Sequence, residues 1–259
     1  MNVQYTAEGG IALLTLDAPP ANTYSYPLMR ALDEAILKAR FDETVHAIVL
    51  TGAGEKFFCA GADIRMLQEA TPTFKYQFCL HANETLNRLE QTNKLVVAAL
   101  NGHTVGGGLE IALAADLRLA RKGGGKIGLP EIHLGVLPGT GGTQRLTRAV
   151  GKARALDLML TGRLFSFEEA ATLGIVQQVL EGDDFLGQVR AYVGQFVPPG
   201  KASKAVGLIK RAVQTGAELS FQDALALERE LQQQLFQSAD AREGIAANLE
   251  KRTPKFEGK

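Results

Sequence analysis

Net charge is the first thing this 259-residue chain lacks: 28 basic residues face 28 acidic ones. That balance leaves no electrostatic footprint for nucleic acid or for an anionic membrane surface. No apolar run approaches membrane-spanning length, and the opening Met1-Asn2-Val3-Gln4-Tyr5 enters strand-like sequence without a basic-then-apolar leader. The expectation is a soluble cytoplasmic protein with no nucleic-acid or membrane partner. Cysteine is scarce as well. Cys59 and Cys79 cannot build a disulfide framework, fit a reducing compartment and read as small buried hydrophobes. The four histidines, His46, His81, His103 and His133, lack metal-ligand spacing, so no metal is expected. Nucleotide motifs are missing too. Gly139-Thr140-Gly141-Gly142-Thr143-Gln144 fails the dinucleotide fingerprint at its last position, and Gly52-Ala53-Gly54-Glu55-Lys56 lacks the Gly-Lys-Ser/Thr of a phosphate loop. No serine occupies a Gly-x-Ser-x-Gly turn, which argues against a seryl hydrolase.

What is present alternates between strand and helix. Ile11–Leu16 and Ala47–Thr51 read as buried strands with a helical pattern over Tyr26–Phe41 between them, followed by a long helix over Phe74–Thr92. Leu117–Ala120 and Ile175–Val179 add short strands, and Ser166 with Glu169 forms a capping box at a helix start. From Phe185 onward the pattern is almost wholly helical. The fold class is therefore α/β, with a core over residues 1–195 and a C-terminal helical region over 196–259. Such an appendage suits contacts between subunits.

One stretch organises the chain. The apolar run Leu95–Leu100 passes through Asn101-Gly102 to Val105-Gly106-Gly107-Gly108-Leu109-Glu110, which opens an alanine- and leucine-rich helix. Glycines at a helix start leave backbone N–H groups free to meet a ligand oxygen, and the helix dipole favours negative charge there. The segment Phe57-Phe58-Cys59-Ala60-Gly61-Ala62-Asp63-Ile64 is a second close approach of backbone, too small in side chain to shield its amides. Two carboxylates stand beside such backbone, Glu110 and Glu131. Alone, either is explained by the taste of acidic residues for helix N-termini. Together with two donor segments they suit acid–base chemistry on a carbonyl compound.

At this point the motifs match a known family. Phe58 to Ile64, Asn101 to Glu110, and Pro130-Glu131-Ile132-His133-Leu134-Gly135 through Pro138-Gly139-Thr140-Gly141-Gly142-Thr143-Gln144-Arg145-Leu146 resemble the enoyl-CoA hydratase/isomerase (crotonase) family. The resemblance spans essentially the whole chain. It implies a spiral core of repeated ββα turns capped by C-terminal helices that mediate trimers, commonly paired as dimers of trimers. It also implies an acyl-CoA substrate, with coenzyme A as part of that substrate and no other cofactor.

The resemblance assigns roles by position. Backbone N–H groups of Ala62 and Gly107 would form the oxyanion hole for the thioester oxygen. Glu110 would orient and deprotonate water, Glu131 would protonate Cα, and the Gly139 amide would help hold a carboxylate or the water. Ala21, Ala60, Asp63, Ile64 and Arg65 would line the CoA site, with Lys251 reaching the CoA phosphates of a neighbouring subunit. Pro20 replaces a lysine often found before Ala21, so one phosphate contact would fall to Arg65 or Lys251. The acyl pocket is expected from Met66, Leu67, Phe74, Tyr76, Phe78, His133 and Leu137. The activity implied is hydration, reversible as dehydration, of a short or branched 2-enoyl-CoA. Alternatives are a 3-methylglutaconyl-type substrate, whose distal carboxylate would pair with His133 or Arg65, an enoyl-CoA isomerase, or a non-catalytic acyl-CoA-binding scaffold.

Overall fold

In the computed structural model, which describes residues 2–259, the apolar runs over 47–51, 95–100 and 117–120 are each followed by a second, three-residue strand in a different sheet. The larger sheet holds β1 (Asn2–Glu8), β2 (Ile11–Asp17), β3 (Ala47–Gly52), β5 (Leu95–Leu100), β7 (Leu117–Arg121) and β10 (Gln178–Leu180) in the order β1-β2-β3-β5-β7-β10. The smaller one holds β4 (Phe57–Cys59), β6 (His103–Val105), β8 (Lys126–Gly128) and β9 (Phe165–Ser166) in that order. Strands β3, β5 and β7 pair in parallel, as do β4, β6 and β8. Three successive β3–β4, β5–β6 and β7–β8 turns therefore stack as coils of a spiral, the ββα core that the resemblance implies.

The corners of these coils explain several glycines. A Cβ on Gly52 or Gly102 would overlap the main chain of Phe57 or Lys56 respectively. Asn101, buried at the second corner, accepts from the Gly52 amide at 3.1 Å and donates to the carbonyls of Gly52 at 3.0 Å and Gly54 at 2.7 Å. One side chain thus replaces the ladder bonds that a sharp corner breaks.

Alternate residues of the large sheet bury on opposite faces. Leu14, Leu16, Ile48, Leu50, Val96 and Ala98 join a core with α1 (Tyr26–Phe41), which supplies Leu28, Leu32 and Ile36. Ala47, Val49, Val97 and Leu119 pack instead with Phe185, Val189 and Val193 of the helix over Phe185–Gly194. Burying each such aliphatic side chain is worth roughly 1.5–3 kcal/mol, which is what holds two-sided strands in place. Between β4 and β5 lie α2 (Ile64–Glu69) and α3 (Pro72–Glu90). After β6 comes α4 (Gly107–Leu113), and after β8 a 3₁₀ turn over Glu131–Leu134 precedes α5 (Gly142–Val150) and α6 (Lys152–Thr161).

The chain continues through α7 (Phe167–Thr172) and α8 (Phe185–Gly194) to α9 (Ser203–Gly216), α10 (Phe221–Phe236) and α11 (Ala239–Glu250). Ser166 caps α7 by accepting from the Glu169 amide, whereas the Glu169 side chain pairs with Arg163 rather than closing the box. The strand expected over Ile175–Val179 is displaced: only Gln178–Leu180 pairs with β7, while Ile175 and Val176 are buried in the core beside α7. A short apolar run cannot by itself say whether its burial is in a ladder or under a helix. The division at residue 195 falls just past α8. Helix α9 is tied to the sheet by a buried ion pair, Lys210 Nζ to Asp116 at 2.9 Å.

Candidate active site

The backbone of β4, continued through Ala60–Asp63, is met by the segment before α1. Ala60 N–H donates to Ala21 O at 3.1 Å, Tyr24 N–H to Gly61 O at 2.9 Å and Asp63 N–H to Tyr24 O at 3.0 Å. In this parallel bridge between Tyr24 and Ala62 the amide of Ala62 itself takes no part. Asn22 fixes the approach: buried and in left-handed backbone at φ 51°, it donates to the carbonyls of Ala53 and Phe57, both at 2.9 Å. Asparagine is among the few non-glycine residues that tolerate that conformation.

On the facing side, α4 begins at Gly107, whose N–H belongs to the first turn and has no intrahelical partner. A Cβ on Gly61 would lie 3.3 Å from Gly107 N, so the two donor segments adjoin. Side chains are excluded there by contact. A Cβ at Gly107 would overlap the Tyr24 ring, and one at Gly108 would overlap the Cys59 carbonyl oxygen. The glycines that read as a helix start are thus demanded by close approach of neighbouring backbone and ring.

Glu110, one turn into α4, is buried and saturated with donors. Its Oε1 accepts from the amides of Thr140 and Gly142, both at 2.7 Å, and its Oε2 accepts from the Thr140 hydroxyl. The amides that hold this carboxylate are therefore not that of Gly139 but those of its neighbours in the loop entering α5. A Cβ on Gly139 would instead lie 3.3 Å from Cys79 Sγ. Burial pushes the Glu110 carboxyl above its usual range while the three donors pull it back.

Glu131 is placed differently. It opens the 3₁₀ turn, and its Oε1 faces the glycine turn, 2.9 Å from where a Cβ on Gly106 would be. Its Oε2 is buried and has no hydrogen-bond partner among the described residues. Desolvation, followed by the negative charge of Glu110, raises this carboxyl to about 7. The two glutamates thus differ in kind, one bound by three donors and one held by burial near neutrality. Two carboxyls in such different hydrogen-bonding environments are suited to separate roles as acid and base.

Two residues of this site were not legible in the sequence. Thr140 supplies two of the donors to Glu110, and Tyr24 Oη lies 3.3 Å from Thr140 Oγ1. Tyr24 also stacks on Phe78, with centroids 5.5 Å apart, and Phe78 stacks on Phe74 at 6.3 Å. Lys75, between those two phenylalanines, holds its ammonium 5.5 Å over Phe78, and its charge is felt by both glutamates.

Of the residues expected in an acyl pocket, Phe74 and Phe78 are joined in this stack, and Met66 packs against the core. Leu67 is half-buried on α2. Tyr76, 67 % exposed, faces away from the packed side of α3. His133 approaches Gly162, where a Cβ would lie 2.8 Å from its Nε2. Leu137 and Gly139 line a cavity of about 1200 Å³ with Asp116, Arg118 and Arg145, a cavity whose walls include neither glutamate. Ala21 and Ala60 are brought together, and Asp63 caps α2 by accepting from Arg65 N at 2.9 Å. Ile64 and Arg65 are exposed beside it. Lys251 is exposed in left-handed backbone at the end of α11.

The sequence from residue 6 to 259 matches the family model for enoyl-CoA hydratase/isomerase. The chain belongs to the enoyl-CoA hydratase/isomerase family. It is 37% identical to a short-chain-enoyl-CoA hydratase of Clostridium acetobutylicum over 99% of this chain and 97% of the relative. It is 33% identical to a crotonyl-CoA hydratase of Syntrophomonas wolfei, covering 98% and 97%. The crystal structure of an enoyl-CoA hydratase from Geobacillus kaustophilus superposes with a TM-score of 0.97 at 43% identity, covering 99% of this chain and 97% of that one. The fold is the crotonase fold, and the chain is an enzyme of the hydratase kind. The family's chemistry requires no cofactor beyond the CoA carried by the substrate. Among the described residues no helix is long and apolar enough to cross a membrane.

Proposed function

We propose that this member hydrates a short or branched 2-enoyl-CoA, and in reverse dehydrates the 3-hydroxyacyl thioester, using Glu110 and Glu131. The observation that carries this reading is the contrast between the two carboxyls: Glu110 fully donated to, Glu131 half-buried with one buried oxygen that no described group satisfies. Ionised Glu110 takes a proton from water as the water oxygen bonds to Cβ. The π electrons of the Cα–Cβ bond move onto the thioester oxygen, and collapse of that enolate takes a proton from Glu131 onto Cα. Proton exchange with solvent then restores the pair. The amides of Ala62 and Gly107 would receive the developing oxyanion, where a donor of this kind contributes about 2.7–4 kcal/mol.

The CoA would run along Ala21, Ala60 and Asp63 to Arg65, with Lys251 of a neighbouring copy at the phosphates. A homo-oligomer, a trimer or dimer of trimers, is part of the proposal. Its support is the exposure of Ile209, Val213, Phe221, Phe236 and Leu249 on α9 to α11. Light scattering on the purified protein would return three or six chains, and a monomer at micromolar concentration would refute it.

One observation favours a second substrate class. The Lys75 ammonium has no hydrogen-bond or ion-pair partner among the described residues, yet its charge reaches both glutamates. An acyl chain ending in a carboxylate, as in a 3-methylglutaconyl thioester, would pair with it. A panel of straight, branched and carboxylated enoyl-CoA thioesters separates the two: highest kcat/KM on crotonyl-type substrates supports the first, on a carboxylated one the second. Turnover confined to 3-enoyl thioesters, giving 2-enoyl products, would overturn both.

A further inference from the structure

We infer that Tyr24 is a positioning residue for Glu110, acting through the hydroxyl of Thr140. The inference rests on the reading of Glu110 as the base and adds a residue to it. Thr140 Oγ1 stands between two partners, Glu110 Oε2 and Tyr24 Oη, the latter at 3.3 Å. A threonine hydroxyl has one proton. An ionised carboxylate only accepts, so Thr140 gives its proton to Glu110 and must receive the phenol's in return. The direction of both bonds is then fixed by the charge on Glu110, and the phenol holds the threonine proton where the carboxylate needs it.

Packing and main-chain bonds hold the phenol in this position. Tyr24 is 3% exposed, and its backbone is bonded on both sides to Gly61 and Asp63. Its ring lies against Gly107 and stacks on Phe78 at an interplanar angle of 21°. A phenylalanine would fill the same volume, so the hydroxyl is the group that packing does not explain. Buried tyrosine hydroxyls find partners, and this one has found the second ligand of the carboxylate. The ionisable groups facing this cluster are Glu131 from the 3₁₀ turn, Lys75 and Cys79 from α3, and Cys59 from β4.

Three variants test the arrangement: Tyr24→Phe, Thr140→Val and the two combined, with Thr140→Ser as the conservative control. In Tyr24→Phe the acid limb of kcat/KM should move up by about half a pH unit, because an anion that loses support is harder to form. KM should be unchanged. Thr140→Val should move the limb further, Thr140→Ser should restore it, and the double variant should match Thr140→Val alone, since the phenol acts only through the threonine. An unchanged profile in Tyr24→Phe, or additive effects in the double variant, would overturn the proposal. The carboxylate stretch of Glu110, assigned by infrared difference against Glu110→Gln, provides a readout without turnover and should shift in Tyr24→Phe. If Glu110→Gln kept normal turnover, the assignment of the base would fall, while the infrared comparison would still decide whether Tyr24 controls this carboxylate.

Discussion

Thr140 grips Glu110 twice, its amide donating to one carboxylate oxygen at 2.7 Å and its hydroxyl to the other. With the Gly142 amide on the first oxygen, also at 2.7 Å, the buried carboxylate is fixed against rotation. Glu110→Ala should therefore damage the fold as well as the chemistry. It would strand three buried donors, each costing about 1–3 kcal/mol, whereas Glu110→Gln keeps an acceptor for the two amides. A lower Tm for the alanine variant than for the glutamine variant, read by calorimetry, is the expected order.

Glu131→Gln should behave in the opposite way. Its Oε2 has no described partner, so little bonding is lost. Turnover should fall by roughly 10²–10⁴-fold, with Tm retained or raised. Near-normal turnover would remove Glu131 from the mechanism.

The carboxyl of Glu131, raised to about 7, makes two pH statements. As the proposed acid in hydration it must carry its proton, so kcat/KM should decline on the alkaline side with a midpoint near that value, the pair titrating as a unit. Because the folded state holds this proton more tightly than the unfolded chain does, the associated stability is fully present below the ordinary carboxyl range. It is lost as pH rises through about 7. Denaturant unfolding at a series of pH values should show that slope in the wild type and its reduction in Glu131→Gln.

How far the sequence revealed this site depended on sequence distance. The apolar runs of β3 and β5 and the start of α4 were readable locally, because burial on both faces and a glycine-rich helix start leave marks within ten residues. The second sheet was not, since three-residue strands are too short to show a period. Both glutamates stood out by motif. Their partners did not: Thr140 lies 30 residues from Glu110 and 116 from Tyr24, and nothing in a threonine between glycines announces a carboxylate. The amides found on Glu110 are those of Thr140 and Gly142, and a glycine-rich loop does not declare which of its successive N–H groups points inward.

Gly107→Ala should lower activity steeply, since a Cβ there would overlap the Tyr24 ring beside the amide proposed as oxyanion donor. Gly108→Ala should be worse for folding, because its clash is with the Cys59 carbonyl oxygen, and backbone cannot swing aside as a ring can. Comparing soluble yield and Tm of the two variants would show it; equal stability would contradict the close-packed account of this turn.

Lys210→Met should destabilise through the C-terminal helices. It leaves Asp116, buried and bonded to Val96 N and Gln214, without its cation, and breaking a buried pair in this way costs about 3–5 kcal/mol. Urea midpoints for Lys210→Met and for Lys210→Met with Asp116→Asn should differ, the double variant recovering part of the loss.

The stacked corners at Gly52 and Gly102 have a consequence for how this architecture can vary. Where Gly52 meets the main chain of Phe57 and Gly102 that of Lys56, the approach is set by peptide geometry and admits no larger side chain. Length and shape can change only where the chain leaves the spiral, as it does between β4 and β5 through α2 and α3, and those excursions contribute Phe74, Lys75 and Phe78. The amides proposed as oxyanion donors stand where neighbouring main chain closes in, and the groups that would choose an acyl chain stand further along the excursion, so substrate range is free to diverge without disturbing the chemistry.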